Sequence, residues 1–379
     1  MNPALVSAQA RGLTPYTPGE QPQDKTYIKL NTNENPYPPA PAVQTQLRSY
    51  KAEDLRLYPD PNSTQLRESL AERYQLTAEE VFVGNGSDEV LSFAFYAFFD
   101  PHNGPVLFPT HTYSFYPVYC SYYGLEYQKV PMDEDFSVQL SGFSEQDAFS
   151  GVIFPNPNAP TGIALSRNQI VAFLRTARRD RVYVIDEAYI DFGAESCSGL
   201  VREFPNLLVV HTFSKGRSLA GLRLGFALGN PELIATLFTV KDSFNSYPLN
   251  RLSQQLALRA LEDKSYYEKM QEKVIETRER TVARLRTRGW YVLPSSANFI
   301  FASAPGIDGH TLYSDLKQRG ILVRYFDQSG IKAFVRITIG TDEQMDSLLA
   351  DLDTVYSKSF CMPLRGNRND ANSLIRLVS

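Results

Sequence analysis

The sequence predicts an α/β protein: a large domain with a mainly parallel sheet sandwiched by helices, followed by a smaller α+β domain. Two observations predict it. From about residue 46 to 250, short β-branched runs alternate with helix-like stretches rich in Leu, Ala, Arg and Glu, the order of a parallel sheet covered on both faces. Beyond about 250 one long charged helical stretch gives way to strands and a closing helix, the order of an α+β unit. A chain of 379 residues has room for about two or three domains.

Residues 1–45 are rich in Pro, Gln, Asn and Thr without a sustained period, which predicts an extended arm. In the large domain, 46–250, six runs read as strands: Val81-Phe-Val-Gly, Val106-Leu-Phe, Gly151-Val-Ile-Phe, Val182-Tyr-Val-Ile, Leu207-Leu-Val-Val and Gly225-Phe-Ala-Leu. The small domain, 251–356, opens on a helical region from Arg251 to Arg288 that ends at Gly289. Strands are expected at Trp290-Tyr-Val-Leu, Asn298-Phe-Ile-Phe-Ala, Ile321-Leu-Val-Arg and Phe334-Val-Arg-Ile-Thr-Ile, and a helix over 343–356. The tail, 357–379, is polar and basic and receives no role.

Charge and cysteine content narrow the function. A net charge of -4 offers no basic face for nucleic acid. No apolar run approaches the roughly 20 residues of a membrane helix, and the first residues lack a basic flank before an apolar core, so a cytoplasmic protein is expected. Cys120, Cys197 and Cys361 are scattered and are expected as reduced thiols. The four histidines fall in no metal-ligand pattern, and without a Gly-x-Ser-x-Gly turn a Ser-His-Asp hydrolase has no support.

The chemistry concentrates in His211-Thr-Phe-Ser-Lys215-Gly-Arg-Ser-Leu-Ala-Gly-Leu-Arg223 and, upstream, Val184-Ile-Asp186-Glu-Ala-Tyr189. An amine, a carboxylate closing a strand, hydroxyls and a cation are the parts that hold pyridoxal 5′-phosphate. Condensation with an aldehyde needs an amine that is not permanently protonated, and desolvation near other cations moves lysine that way. A solvated surface lysine is the ordinary alternative for Lys215. Asp186 falls at the carboxyl end of a probable parallel strand, where ligands of open α/β sheets gather. It can keep a pyridine nitrogen protonated, and Tyr189 can donate to a phenolic oxygen.

Gly84-Asn-Gly86-Ser87-Asp88-Glu lies between a strand and an apolar helix, so its exposed amides suit a phosphate, with Thr212, Ser214 and Arg223 completing the cup. Tyr113, after the strand from Val106, can lie over a flat heterocycle; packing is its alternative role. Arg336 is a lone charge in an apolar strand and calls for an anion. Arg324 can serve a second anionic group, with structural ion pairing as the rival for both.

These stretches resemble the fold type I pyridoxal-phosphate enzymes of the aspartate-aminotransferase superfamily and, within it, the histidinol-phosphate aminotransferase family. The resemblance rests on Leu30-Asn-Thr-Asn33-Glu-Asn-Pro-Tyr-Pro, Leu57-Tyr58-Pro-Asp-Pro, Gly84-Asn-Gly-Ser-Asp-Glu, Asp186-Glu-Ala-Tyr, Ser214-Lys215 with Ala220-Gly-Leu-Arg223, and Arg336-Ile-Thr-Ile-Gly-Thr. It covers roughly residues 12 to 355.

It implies that Lys215 bonds to the cofactor and later carries a proton, with Asp186 on the ring nitrogen, Tyr189 on the phenolic oxygen and Tyr113 over the ring. Gly86, Ser87, Asp88, Thr212, Ser214 and Arg223 would surround the phosphate. Tyr58 would reach the partner subunit's cofactor, implying a homodimer with shared active sites. Tyr16 and Asn33 would belong to the substrate site, Arg336 would take an α-carboxylate and Arg324 the substrate phosphate. Where the family reads Asn-Pro-Asn-Asn-Pro-Thr-Gly, this chain has Asn156-Pro-Asn158-Ala159-Pro-Thr-Gly162; either Asn158 takes over the phenolic-oxygen contact or Tyr189 serves alone.

The implied activity is transfer of an amino group between L-histidinol phosphate and 2-oxoglutarate, both small molecules. An aromatic or broad-specificity aminotransferase would share the cofactor residues and differ around Tyr16, Tyr116 and Arg324. A lyase related to threonine-phosphate decarboxylase would release carbon dioxide. A cofactor-binding regulator would need a DNA-binding domain for which the matched region leaves no room.

Overall fold

The computed structural model describes residues 5–356; Cys361 and the tail from 357 lie outside them. Contacts divide the chain into two units. The first holds the residues up to Pro18, Glu34–Ile275 and Pro294–Asn298; the second holds Gly19–Asn33, Glu276–Leu293 and the residues from Phe299.

The first unit is built on a seven-stranded sheet. Its strands run, edge to edge, Val81–Gly84, Gly225–Gly229, Leu207–Thr212, Val182–Asp186, Gly151–Pro155, Val106–Pro109 and Tyr127–Val130. Gly225–Gly229 is antiparallel to both neighbours, and the other pairs are parallel. The fold is therefore α/β on a mainly parallel sheet.

The β-branched runs become strands because both faces are covered. Alternate residues feed two separate cores. Tyr183, Ile185, Leu207 and Val209 pack on one face with helices Thr64–Tyr74 and Arg251–Glu262. Val184, Leu208 and Val210 pack on the other with helices Gly86–Phe98, Tyr116–Tyr123 and Pro231–Phe244. A period of two splits each strand in this way. Tyr127–Val130, three of whose four residues are exposed, has no apolar signal and is not among the strands expected from sequence.

The helical region after 250 is two helices, Arg251–Glu262 and Lys264–Arg286. They break at Asp263, whose Oδ1 accepts the Tyr266 N–H at 3.3 Å and so caps the second helix. Leu256, Ala257 and Ala260 of the first helix are buried in the large-unit core. That burial is why contacts draw the division at Ile275, where the sequence suggests about 250.

The second unit carries a four-stranded antiparallel sheet, in order Arg324–Tyr325, Phe334–Thr338, Phe299–Ser303 and Tyr291–Val292. Helices Gly309–Gln318 and Asp342–Tyr356 bury Leu312, Leu316, Leu348 and Leu352. Ile28–Lys29 pairs in parallel with Ile321–Leu322. Among the described residues no helix is long and apolar enough to cross a membrane.

Candidate active site

Strand polarity brings the expected cofactor residues to one edge. Asp186 and Thr212 are the last residues of their strands. Gly86 opens a helix two residues after the Val81–Gly84 strand, and Tyr113 follows Val106–Pro109. By alternation Asp186 and Thr212 share the face of Val184 and Val210.

Asp186 is 5% exposed. Its Oδ1 accepts the Ala188 N–H at 3.1 Å and its Oδ2 the Tyr116 hydroxyl at 3.0 Å. Burial pushes its carboxyl up to about 6, opposed by those two hydrogen bonds. A carboxylate offers about four acceptor positions, so the two recorded bonds leave capacity for a cationic N–H.

Lys215 follows Thr212 on the loop after the strand. Its carbonyl accepts the Asn35 Nδ2 at 3.0 Å, which fixes the loop, and its Nζ lies 5.9 Å from the Tyr189 ring centroid. Tyr189 is buried. The Thr212 hydroxyl donates to Ser214 Oγ at 3.0 Å and accepts the Ser214 N–H at 3.1 Å, so the two hydroxyls are held together.

The expected phosphate cradle falls at the start of helix Gly86–Phe98, where the preceding Asn85 provides no side-chain cap. Uncapped first-turn amides make an anion site. Gly86 has φ = 82° and a Cβ there would lie 2.6 Å from Arg223 Nη2, so only glycine lets the guanidinium approach. A Cβ at Gly225 would collide with the Ser87 amide.

Asp88 behaves differently from the other cradle residues. Its Oδ2 accepts Arg223 Nη2 at 2.7 Å and its Oδ1 the Tyr113 hydroxyl at 2.9 Å. An ionised carboxylate only accepts, so Asp88 can meet a phosphate through its backbone N–H while its side chain orients Arg223 and Tyr113.

The Asn158 Nδ2 donates to the His111 carbonyl at 2.9 Å and to Thr161 Oγ1 at 3.1 Å, and its buried Oδ1 has no hydrogen-bond partner. With both N–H groups used, Asn158 in this orientation offers an acceptor, so Tyr189 is the better donor to a phenolic oxygen.

Tyr116, grouped by sequence with residues that discriminate substrates, is fully buried and bonded to Asp186. Its hydroxyl is committed to Asp186, so it is placed toward that carboxylate and not toward a substrate. Its position three residues after Tyr113 was the only local signal. Tyr16 is half-buried, 4.9 Å from the Phe115 ring. Tyr58 is 78% exposed, stacked on Tyr247 at 4.7 Å.

In the second unit, Arg324 and Arg336 are direct cross-strand partners, and both guanidinium groups pack on the Phe326 ring, at 5.7 and 5.5 Å. Arg336 Nη2 also donates to the Asn31 carbonyl at 3.1 Å. Like charges opposite one another are destabilising unless an anion meets them. Asn33 is buried at φ = 56°, its N–H and Oδ1 both bonded to the Thr338 hydroxyl.

The chain matches known proteins over most of its length. The family described as aminotransferase class I and II matches residues 25–352. Histidinol-phosphate aminotransferase of Syntrophus aciditrophicus is 52% identical over 93% of this chain and 98% of that protein. The protein of the same name from Chromohalobacter salexigens is 52% identical over 92% and 98%. Among solved structures, histidinol-phosphate aminotransferase of Sinorhizobium meliloti, in complex with pyridoxal-5′-phosphate, has a TM-score of 0.81 at 25% identity, covering 88% of this chain and 92% of that one. A Thermus thermophilus aspartate aminotransferase mutant shares the fold, with a TM-score of 0.79 at 22% identity over 92% and 99%.

Proposed function

The chain belongs to the class I and II aminotransferase family, and we propose that it moves an amino group from L-histidinol phosphate to 2-oxoglutarate with pyridoxal 5′-phosphate as cofactor. The products are imidazole acetol phosphate and L-glutamate. The identity of 52% over nearly the whole chain to proteins named for that activity carries the reading. The fit of the cofactor is supported by the unspent acceptor capacity of buried Asp186 and the uncapped helix start at Gly86.

The cofactor, when bound, supplies an electron sink for substrate Cα, a chemistry side chains lack. Lys215 would provide the amine that holds the cofactor's aldehyde, and its freed amine would be the base for the proton at substrate Cα. Asp186 would hold positive charge at the ring nitrogen, and Tyr189 would donate to the phenolic oxygen. The Gly86, Ser87 and Asp88 amides, Thr212, Ser214 and Arg223 would hold the phosphate, and the Tyr113 ring would cover the heterocycle. Arg336 takes the carboxylate of glutamate or 2-oxoglutarate, Arg324 the phosphate of histidinol phosphate, with Tyr16 and Asn33 completing the substrate site. Exposed Tyr58 suits a reach into the partner subunit's site, which supports a homodimer as the working form.

Single-turnover spectra of the holoenzyme with L-histidinol phosphate, L-phenylalanine and L-glutamate test this. Histidinol phosphate should convert the cofactor's visible band fastest, and Lys215→Ala should lose the borohydride-fixable adduct. Arg324→Ala should slow histidinol phosphate alone by about ten- to a hundredfold, the range for charge-assisted hydrogen bonds. Faster reaction with phenylalanine would reassign the substrate to aromatic amino acids.

A further inference from the structure

We propose that Tyr116 is a positioning residue for the cofactor, its hydroxyl holding the Asp186 carboxylate in the rotamer and ionised state that meet the ring nitrogen. The proposal rests on the reading that Asp186 binds pyridoxal 5′-phosphate.

Four observations carry it. The Tyr116 Oη–Asp186 Oδ2 distance is 3.0 Å, and the two residues are 70 positions apart. Tyr116 is fully buried and Asp186 nearly so, so water is not the alternative partner. The ring is fixed by Phe95, Phe108 and Tyr113, at 6.0, 5.9 and 5.6 Å, the last edge-on at 86°. Burial and the neighbouring carboxylate hold the phenol well above its ordinary value, so it stays protonated and donates.

The geometry leaves Asp186 little freedom. Oδ1 is pinned by the Ala188 amide and Oδ2 by Tyr116, with a second lone pair on each oxygen available. Burial favours the neutral acid, as does the negative charge of Asp88, while the Tyr116 and Ala188 bonds favour the anion. Tyr113 and Tyr116 leave one loop together: the first is expected over the ring face, and the second braces the carboxylate at its edge. Tyr113 and Tyr119 are both held by Asp88, the first at its carboxylate and the second at its carbonyl, so the brace belongs to one packed cluster.

Tyr116→Phe removes the hydroxyl and keeps the ring. Wild type and variant are loaded with pyridoxal 5′-phosphate. Three quantities are compared: the cofactor dissociation constant, the pH midpoint of its visible absorption band, and the thermal midpoint of each apoprotein. Expected are about tenfold weaker retention, the effect of losing one hydrogen bond to a charged group, and a higher band midpoint, since a less positive ring leaves the bonded amine more basic. The apoprotein thermal midpoint should fall modestly, since one buried hydrogen bond is lost while the ring stays packed.

A lowered thermal midpoint with unchanged retention and band would make Tyr116 a packing residue and overturn the proposal. Should Tyr116→Phe fail to fold, 3-fluorotyrosine at position 116 keeps the ring and strengthens the donor; the band midpoint must then fall, and an unmoved midpoint overturns the proposal. Wild-type protein that retains no cofactor and gives no borohydride adduct at Lys215 overturns the underlying reading, and the proposal with it.

Discussion

Asp186 and Glu187 are consecutive carboxylates, 5% and 1% exposed, that face opposite sides of the same sheet. Burial raises both, Asp186 to about 6 and Glu187 to about 8, so burial alone does not distinguish them. Their partners do. Asp186 accepts two hydrogen bonds and shares its face with Thr212. Glu187 accepts the Cys197 N–H and the Ser196 hydroxyl, each at 2.6 Å, and lies 3.2 Å from His211 Nε2.

That last contact is an approach without hydrogen-bond geometry, since His211 Nε2 has no hydrogen-bond partner. His211 is stacked on Phe226 at 4.9 Å and 6°, and burial lowers it to about 3, so it sits there neutral. A cavity of about 630 Å³ opens near this face, lined among others by Arg73, Tyr74, Asp191, Ser196 and His211. None of the expected cofactor residues lines it. Each carboxylate accepts two hydrogen bonds, so acceptor capacity does not separate them either. The face does: Asp186 lies with Thr212 and is bonded to Tyr116, while Glu187 lies with His211 and is bonded to Ser196 and Cys197.

The sharpest way to break this contrast is to neutralise each carboxylate. Asp186→Asn should lower turnover by about 10²–10³, the scale for removing one preorganised electrostatic contact, with the fold intact by circular dichroism. Glu187→Ala should leave turnover per folded molecule within a few-fold. It should cost about 1–3 kcal/mol of stability in denaturant titration, because the Ser196 and Cys197 donors are left buried. Loss of turnover at unchanged stability in Glu187→Ala would erase the distinction.

The smallest effect is in pH. Both carboxyls bind protons more tightly folded than unfolded, Asp186 rising from 3.8 and Glu187 from 4.5. The stability they contribute is full below about pH 4 and is lost as pH rises through about 6 for Asp186 and about 8 for Glu187. Glu187→Gln should therefore flatten the fall of the apoprotein thermal midpoint between about pH 5 and 8. Equal slopes in wild type and variant would show that Glu187 is ionised throughout.

Much of this site was legible because it is local. Asp186 closing a β-branched run, Lys215 after a strand and the glycines around Ser87 each carry their position in adjacent residues. Other features were not. Nothing near Asp88 signals that its side chain turns to Arg223, 135 residues away. The orientation of Asn158 depends on the His111 carbonyl. Tyr127–Val130 pairs at an edge, where an exposed strand needs no apolar pattern.

By itself the sequence determined the α/β alternation, the close of a strand at Asp186, and the positions of Thr212 and Gly86 shortly after strands. Periodicity and turn chemistry are properties of neighbouring residues, so they survive without coordinates. Only the tertiary structure decided that Tyr116 braces Asp186 and that Arg324 lies opposite Arg336. Those pairings depend on strand register and helix packing between segments far apart in the chain, which no local pattern encodes.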